Sequence, residues 1–318
     1  MKGSIFDRRF VIVSGKGGVG KSTVCCALAL AAARQGKRVL IAELASKERA
    51  TALFEHGSKA GYEPTQVAPG IDVINVTTEP ALQEYGLMKL RWKRVYRAVF
   101  ENPVMRSLVR MMPGMNELLL IGKAWYLEQE RDERTGRYRW DIIIVDAPAS
   151  GHGALVFQIP HVIMSSVNGG PMIEETRRIR DMLVDRERTC LNIVTWPEEM
   201  PVNEALDMQR LVETDLDIGL GHLFVNGVWP TAPTEESLVP LDATHALGED
   251  AEHSSVRTVL RTHEFMTRRR RAQETHLARL RAECDLKQVA LPYLFQPAFG
   301  LAAIERLSQC IERDLLHE

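Results

Sequence analysis

Nine consecutive residues, Gly15-Lys16-Gly17-Gly18-Val19-Gly20-Lys21-Ser22-Thr23, bring backbone freedom, positive charge and hydroxyl groups into one stretch. The glycines let successive backbone N–H groups converge on an anion with no Cβ in the way. A helix that opens at the end of the stretch adds its own partial positive charge. The spacing G-x-x-x-x-G-K-[ST] is that of a phosphate cradle. In such a cradle Lys21 reaches the β and γ phosphates of a nucleotide, Ser22 offers a hydroxyl to Mg²⁺, and Thr23 is placed for the α phosphate. A carboxylate belongs with it, and Asp141-Ile-Ile-Ile-Val-Asp146 is an apolar strand ending in one, the arrangement that holds Mg²⁺ through water. ATP and Mg²⁺ are therefore the expected cofactors. Lys21 and Asp146 are the expected catalytic groups, the loop from Gly15 to Thr23 holds the nucleotide, and Ser22 and Asp146 form the metal site.

The chemistry needs a strand before the loop and a helix after it, and the chain supplies both. Short apolar runs recur at Phe10 to Ser14, Val39 to Glu43, Ile71 to Val76, Asp141 to Val145, Leu191 to Thr195, His222 to Asn226 and Leu286 to Leu291, separated by longer helical stretches. This alternation predicts an α/β fold of the P-loop NTPase kind, a mostly parallel sheet of about seven to eight strands flanked by helices. Ser22 to Gln35 is rich in Ala and Leu, and Gly36 follows where a helix end favours a left-handed residue. Residues 10 to 43 thus read as one βαβ unit. Residues 78 to 138 interrupt the alternation as a helical insertion subdomain within a single domain spanning 1 to 318. Trp229 to Glu252, with four prolines and an acidic end, reads as a long irregular connection before a charged helix at about Ser255 to Glu283.

At 318 residues the chain can bury a large core. Forty Lys and Arg against 42 Asp and Glu leave a formal charge of −2, so there is no global basic field for nucleic acid or an anionic membrane. Five cysteines, Cys25, Cys26, Cys190, Cys284 and Cys310, are an odd set without CxxC spacing, which argues against a disulfide framework and a structural zinc. Reduced thiols fit a cytoplasmic protein. The apolar run before Gly15 is too short for a signal peptide, and no run approaches the length of a membrane span.

Lys16 marks a deviant form of the phosphate loop, and with it the chain resembles the deviant Walker ATPases. These include nitrogenase iron protein, the Min and chromosome-partition ATPases, and the arsenite-pump and tail-anchored-protein-targeting ATPases. The resemblance implies a face-to-face dimer in which Lys16 stabilises charge on the partner's nucleotide, with the logic of an arginine finger. Asp146-Ala-Pro-Ala-Ser-Gly-His-Gly is similar to switch II of the arsenite-pump and tail-anchored-targeting branch. Pro148, Gly151 and His152 would then couple the γ phosphate to subunit movement. Thr195 to Leu206, TWPEEMPVNEAL, resembles the segment after the fifth core strand of that branch. LFVNG resembles its strand with an adenine-reading asparagine, here Asn226, and Leu291 to Leu307 resembles the loop and last helix that close over the base, bringing in Pro292.

Two departures alter the expectation. The branch carries a switch I of the type STDPAH whose aspartate positions the attacking water, whereas this chain reads Ala42-Glu43-Leu44-Ala45-Ser46-Lys47-Glu48, with Ala45 where that aspartate belongs. Hydrolysis is then slow, or draws on Glu43, Glu48 or a partner group as base. A bacterial subgroup with VEVEG-like residues here is the most similar, and its paired paralogues make a heterodimer an alternative to a homodimer. The missing CxxC removes the zinc-clamped dimer of the tail-anchored-targeting branch.

Within the insertion, Met88, Met105, Met111, Met112 and Met115 lie among apolar residues, and read either as subdomain core or as an adaptable surface for a protein or hydrophobic client. Arg91, Lys93, Arg94 and Arg97 read as a solvated helix face. Arg268 to Arg271, with Arg257, Arg261, Arg279 and Arg281, form a local basic stretch in which Glu264, Glu274 and Glu283 permit intrahelical pairs, so a salt-bridged solvated helix is favoured over a lipid or nucleic-acid patch. The expected function is a Mg-dependent dimeric ATPase switch whose helical insertions move. The alternative is an ATP-gated scaffold with little hydrolysis, and a membrane or nucleoid positioning ATPase is a third reading.

Overall fold

The computed structural model of the protein describes residues 4–45, 48–90, 114–148, 155–166, 171–231, 252–296 and 298–316. The strands are β1 Phe10–Ser14, β2 Val39–Leu44, β3 Thr65–Ala68, β4 Ile71–Val76, β5 Ile142–Asp146, β6 Thr189–Thr195, β7 Leu220–Val228 and β8 Lys287–Pro292. The helices are α1 Lys21–Arg34, α2 Ala50–Leu53, α3 Thr78–Leu90, α4 Met115–Gln129, α5 Leu155–Ser166, α6 Pro171–Val184, α7 Glu199–Leu211, α8 Glu252–Glu283 and α9 Leu301–Leu316. The eight strands form one sheet in the order β3-β4-β2-β5-β1-β6-β7-β8. The pairings of β1, β2 and β4 to β8 are parallel, and only β3, on the edge, runs antiparallel.

Every residue of β1, β2 and β5 is buried, as a strand covered by helices on both faces requires. Alternation along the strands divides the interior into two cores. Phe10, Ile12, Leu40, Ile74, Ile143 and Val145 face one layer, which includes Leu120, Ile121, Ile179 and Leu206 from α4, α6 and α7. Val11, Val13, Val39, Ile41, Ile142 and Ile144 face the other, against Val24 and Leu28 of α1 and Ile304 and Leu307 of α9. Helix α1 packs against both the sheet and α9, and its alanines at 27, 29, 31 and 32 are fully buried.

The structure extends or shifts several bounds expected from sequence. β5 begins at Ile142 and carries Asp146 as its last residue, β6 begins at Thr189, and β7 runs two residues further at each end. Strand β3 was not expected, because its four residues are half-buried or exposed and show no apolar alternation. The expected insertion carries α3 and α4, and Glu128 of α4 ties it to the core. That carboxylate is fully buried and accepts Arg9 Nε at 2.9 Å and Arg188 Nε at 3.0 Å. Met88 is 49% exposed and Met115 half-buried beside an apolar cavity of about 80 Å³ that both line. Met105, Met111, Met112, Arg91, Lys93, Arg94 and Arg97 lie outside the described residues, as does most of the irregular connection before α8.

The basic stretch falls on α8. Arg270 pairs with Glu274 at 3.0 Å and Arg279 with Glu283 at 2.9 Å, both four residues apart, and Arg281 meets Glu274 at 3.4 Å. No described helix is long and apolar enough to cross a membrane. The five cysteines are free thiols.

Candidate nucleotide site

The strand order places β1 between β5 and β6, so the carboxyl ends of β1, β5, β2, β6 and β7 converge on one crevice, where open α/β sheets hold ligands. The glycine-rich loop leaves β1 into that crevice. Gly15 has φ +147° and Gly20 φ +92°. A Cβ on Gly15 would overlap the carbonyl oxygen of Val194 on β6, and one on Gly20 the side-chain amide of Asn226 on β7. The loop is thus pressed against two neighbouring strands, which only glycine permits.

Two side chains hold the loop by a single carbonyl. Trp196 Nε1 donates to Val19 O at 3.0 Å, and Asn226 Nδ2 donates to the same oxygen at 2.9 Å. Asn226 thus supports the glycine-rich loop, a role that the sequence did not suggest. Pro292, half-buried at the end of β8, is paired with Val228. Next to it Tyr293 stacks on Trp229 with centroids 4.9 Å apart and meets Trp196 edge-on. These rings line the strand ends beside Asn226.

Lys21, the first residue of α1, is 6% exposed and folds back on the loop, donating to Gly15 O at 3.0 Å and Lys16 O at 3.1 Å. Burial lowers the pKa of its ammonium, and the Asp146 carboxylate pulls the other way. Ser22 Oγ donates to Asp146 Oδ2 at 2.5 Å. Asp146 lies opposite Val13 of β1 and Glu43 of β2 in the sheet register, so a hydroxyl and two carboxylates meet at the mouth of the loop. Burial raises the Asp146 pKa, with Ser22 and Lys21 opposing. An oxygen-only donor set of hydroxyl and carboxylate suits a hard divalent cation such as Mg²⁺ that takes its other ligands from phosphate and water. The residues present fit ATP and Mg²⁺ on this chemistry. Thr23 is half-buried on the first turn of α1.

Lys16 is engaged within its own chain, its ammonium hydrogen-bonded to Glu204 of α7. Ala45 is exposed and left-handed at φ +48°. Pro148 is half-buried just after β5, while Gly151 and His152 lie outside the described residues.

Sequence reasoning missed the arrangement around Glu43. Its carboxylate is fully buried at the end of β2, and Oε1 accepts the backbone N–H of Arg49 at 2.9 Å and of Ala50 at 3.1 Å. Among the described residues its Oε2 has no hydrogen-bond partner. Burial pushes this carboxyl up to about 7, against the two N–H groups, and the nearby carboxylates of Asp146 and Glu48 add to the rise. An acid whose folded value lies above its unfolded one stabilises the fold at low pH. That contribution is lost as pH rises from about 4.5 through about 7, by about 3 kcal/mol in full. Glu43→Gln is therefore expected to gain about 2 kcal/mol relative to the parent protein between pH 5 and pH 8. Urea unfolding of both proteins without nucleotide at the two pH values measures it, and parallel pH dependences would refute the assignment.

A family model described as anion-transporting ATPase matches residues 8–169, from the start of β1 past the end of β5. ATPase BagA of Mycobacterium tuberculosis is 28% identical over 263 residues, covering 80% of this chain and 74% of that relative. The arsenical pump-driving ATPase of Acidiphilium multivorum is 27% identical over 244 residues, 71% of this chain but only 40% of that protein. With the matched region spanning more than half of its 318 residues and containing the glycine loop, Ser22 and Asp146, the chain belongs to the anion-transporting ATPase family.

Proposed function

We propose that the protein is a cytoplasmic, Mg-dependent ATPase that works as a dimeric switch, ATP closing two subunits and hydrolysis reopening them. The observation that supports this most is the 2.5 Å contact between Ser22 and Asp146 beside the glycine cradle. Backbone N–H groups from Gly15 to Gly20 hold phosphate oxygens, and Lys21 exchanges its two carbonyl partners for the β and γ phosphates. Thr23 serves the α phosphate, while Asn226 and Pro292 flank the base. Ser22 and, through water, Asp146 would hold Mg²⁺, which when bound neutralises charge on the phosphates. Lys16 leaves Glu204 to reach the nucleotide of a partner subunit, a second copy or a paralogue. Pro148, Gly151 and His152 carry the change to the insertion at 78–138, which binds a protein partner or hydrophobic client. Zinc and nucleic acid have no part in this reading.

Ala45 favours a second reading, an ATP-gated scaffold that turns nucleotide over negligibly, since a methyl group orients no water. Single-turnover phosphate release with Mg-ATP, with bound nucleotide quantified, separates the two. Release by the parent protein, reduced about a hundredfold or more in Lys21→Ala, is the expected result. Retained ATP without release supports the scaffold, and failure to bind nucleotide overturns both.

A further inference from the structure

We propose that Arg49 is a phosphate-contacting residue, a cation supplied within the same chain to the terminal phosphate of the nucleotide, and that Glu43 is the positioning residue that aims it. The proposal rests on the ATPase reading and adds to it a group which neither the glycine loop nor the family resemblance points to.

A short chain of contacts joins the loop to Arg49. Ser22 Oγ donates to Asp146, Asp146 sits opposite Glu43 in the pairing of β5 with β2, and Glu43 Oε1 accepts the N–H of Arg49. The second N–H on the same oxygen, from Ala50, fixes the start of α2 and with it the direction in which Arg49 leaves the backbone. Because Glu43 is fully buried and anchored in the middle of the sheet, this support is rigid. Arg49 itself is exposed, and among the described residues its guanidinium has no hydrogen-bond or ion-pair partner.

Held by its N–H on Glu43 Oε1 at 2.9 Å, Arg49 stands beside the strand pair that carries Glu43 opposite Asp146, and its positive charge lowers the Lys21 pKa and opposes the rise at Asp146. Two cations held near each other at the mouth of a glycine loop repel, and a polyphosphate between them removes the penalty. The planar fork of an arginine also matches phosphate oxygens better than a point charge does. In hydrolysis the water oxygen bonds to the γ phosphorus as the bond to the β–γ bridging oxygen breaks. That oxygen keeps the electron pair and leaves with ADP, and the water protons pass to phosphate and solvent. Arg49 takes no proton; it stabilises charge on the transferred group.

The test compares affinities for Mg-ATPγS and Mg-ADP in the parent protein, Arg49→Ala and Arg49→Lys, alongside thermal unfolding without nucleotide. Arg49→Ala is expected to weaken ATPγS by at least about tenfold and to slow phosphate release about a hundredfold. ADP affinity stays within about twofold, the unfolding midpoint is unchanged, and Arg49→Lys recovers part of the loss. Added guanidinium ion is expected to restore part of the phosphate release to Arg49→Ala. Equal affinity for ATPγS in parent and Arg49→Ala overturns the proposal while leaving the ATPase reading intact. Equal losses for ATPγS and ADP, or a lowered midpoint with no change in discrimination, also overturn it, since Arg49 would then serve only to balance Asp146. A parent protein that binds neither nucleotide brings down both readings.

Discussion

Gly15→Ala is expected to remove measurable nucleotide binding, weakening ATP at least about a hundredfold, and to cost about 2–4 kcal/mol of stability. The reason is steric and local. An added Cβ at Gly15 overlaps the Val194 carbonyl oxygen, which belongs to β6 and cannot rotate away as a side chain would. The backbone at φ +147° is also one that residues with a side chain rarely adopt. Something must move, and the loop is softer than the sheet, so the N–H groups that converge on phosphate lose their alignment. Gly36→Ala is the control: it carries the same kind of backbone penalty at φ +78°, yet an added Cβ meets nothing within 4 Å. It should cost about 1 kcal/mol and leave ATP affinity unchanged. Isothermal titration with Mg-ATPγS and urea unfolding on both variants decide the matter. Normal affinity in Gly15→Ala would mean that the loop as described is not the one that holds phosphate.

The contrast between these glycines shows where sequence reading reaches and where it stops. The phosphate loop is contiguous, so its pattern identified Gly15 to Thr23 as a unit, and the apolar strand ending in Asp146 was visible for the same reason. The parallel sheet was legible because its central strands are buried on both faces and therefore read as unbroken runs of Val, Ile and Leu. β3 was not, because an edge strand of four residues with exposed positions leaves no such run. Contacts between distant residues were also out of reach. Trp196 and Asn226 meet Val19 across 177 and 207 residues of chain. No periodicity encodes that meeting; it follows only once β6 and β7 are known to lie beside β1. Glu43 is the instructive middle case. Sequence offered it as one of several candidate bases because it ends a strand near Ala45. The fold adds what the sequence could not show, that its carboxylate holds the N–H groups of Arg49 and Ala50 from a buried position.

Lys16→Ala is expected to reduce phosphate release about a thousandfold while ATP affinity changes only a few-fold. In the described chain the Lys16 ammonium is bound to Glu204 of α7, half-buried with 28% of the lysine side chain and 34% of the glutamate side chain exposed. It is therefore held away from the Lys21 ammonium, which turns inward to Gly15 and Lys16 carbonyls. A lysine parked on an intrachain carboxylate contributes little to its own nucleotide. For it to act on a partner's phosphate, the Glu204 contact must be exchanged for a stronger anion. Glu204→Gln removes the competing charge and should strengthen ATP-dependent dimerisation severalfold, measured by sedimentation with Mg-ATPγS. The decisive form of the experiment mixes two inactive proteins. Lys16→Ala keeps its own phosphate cradle and Lys21→Ala keeps Lys16, so a mixed dimer has one complete site. An equal mixture of the two is expected to recover about a quarter of the parent activity, since half the dimers are mixed and each mixed dimer has one working site of two. Recovery on mixing requires the lysine to cross the interface. Two proteins that stay inactive together, from a parent that is active alone, would place Lys16 in its own site and refute the trans arrangement.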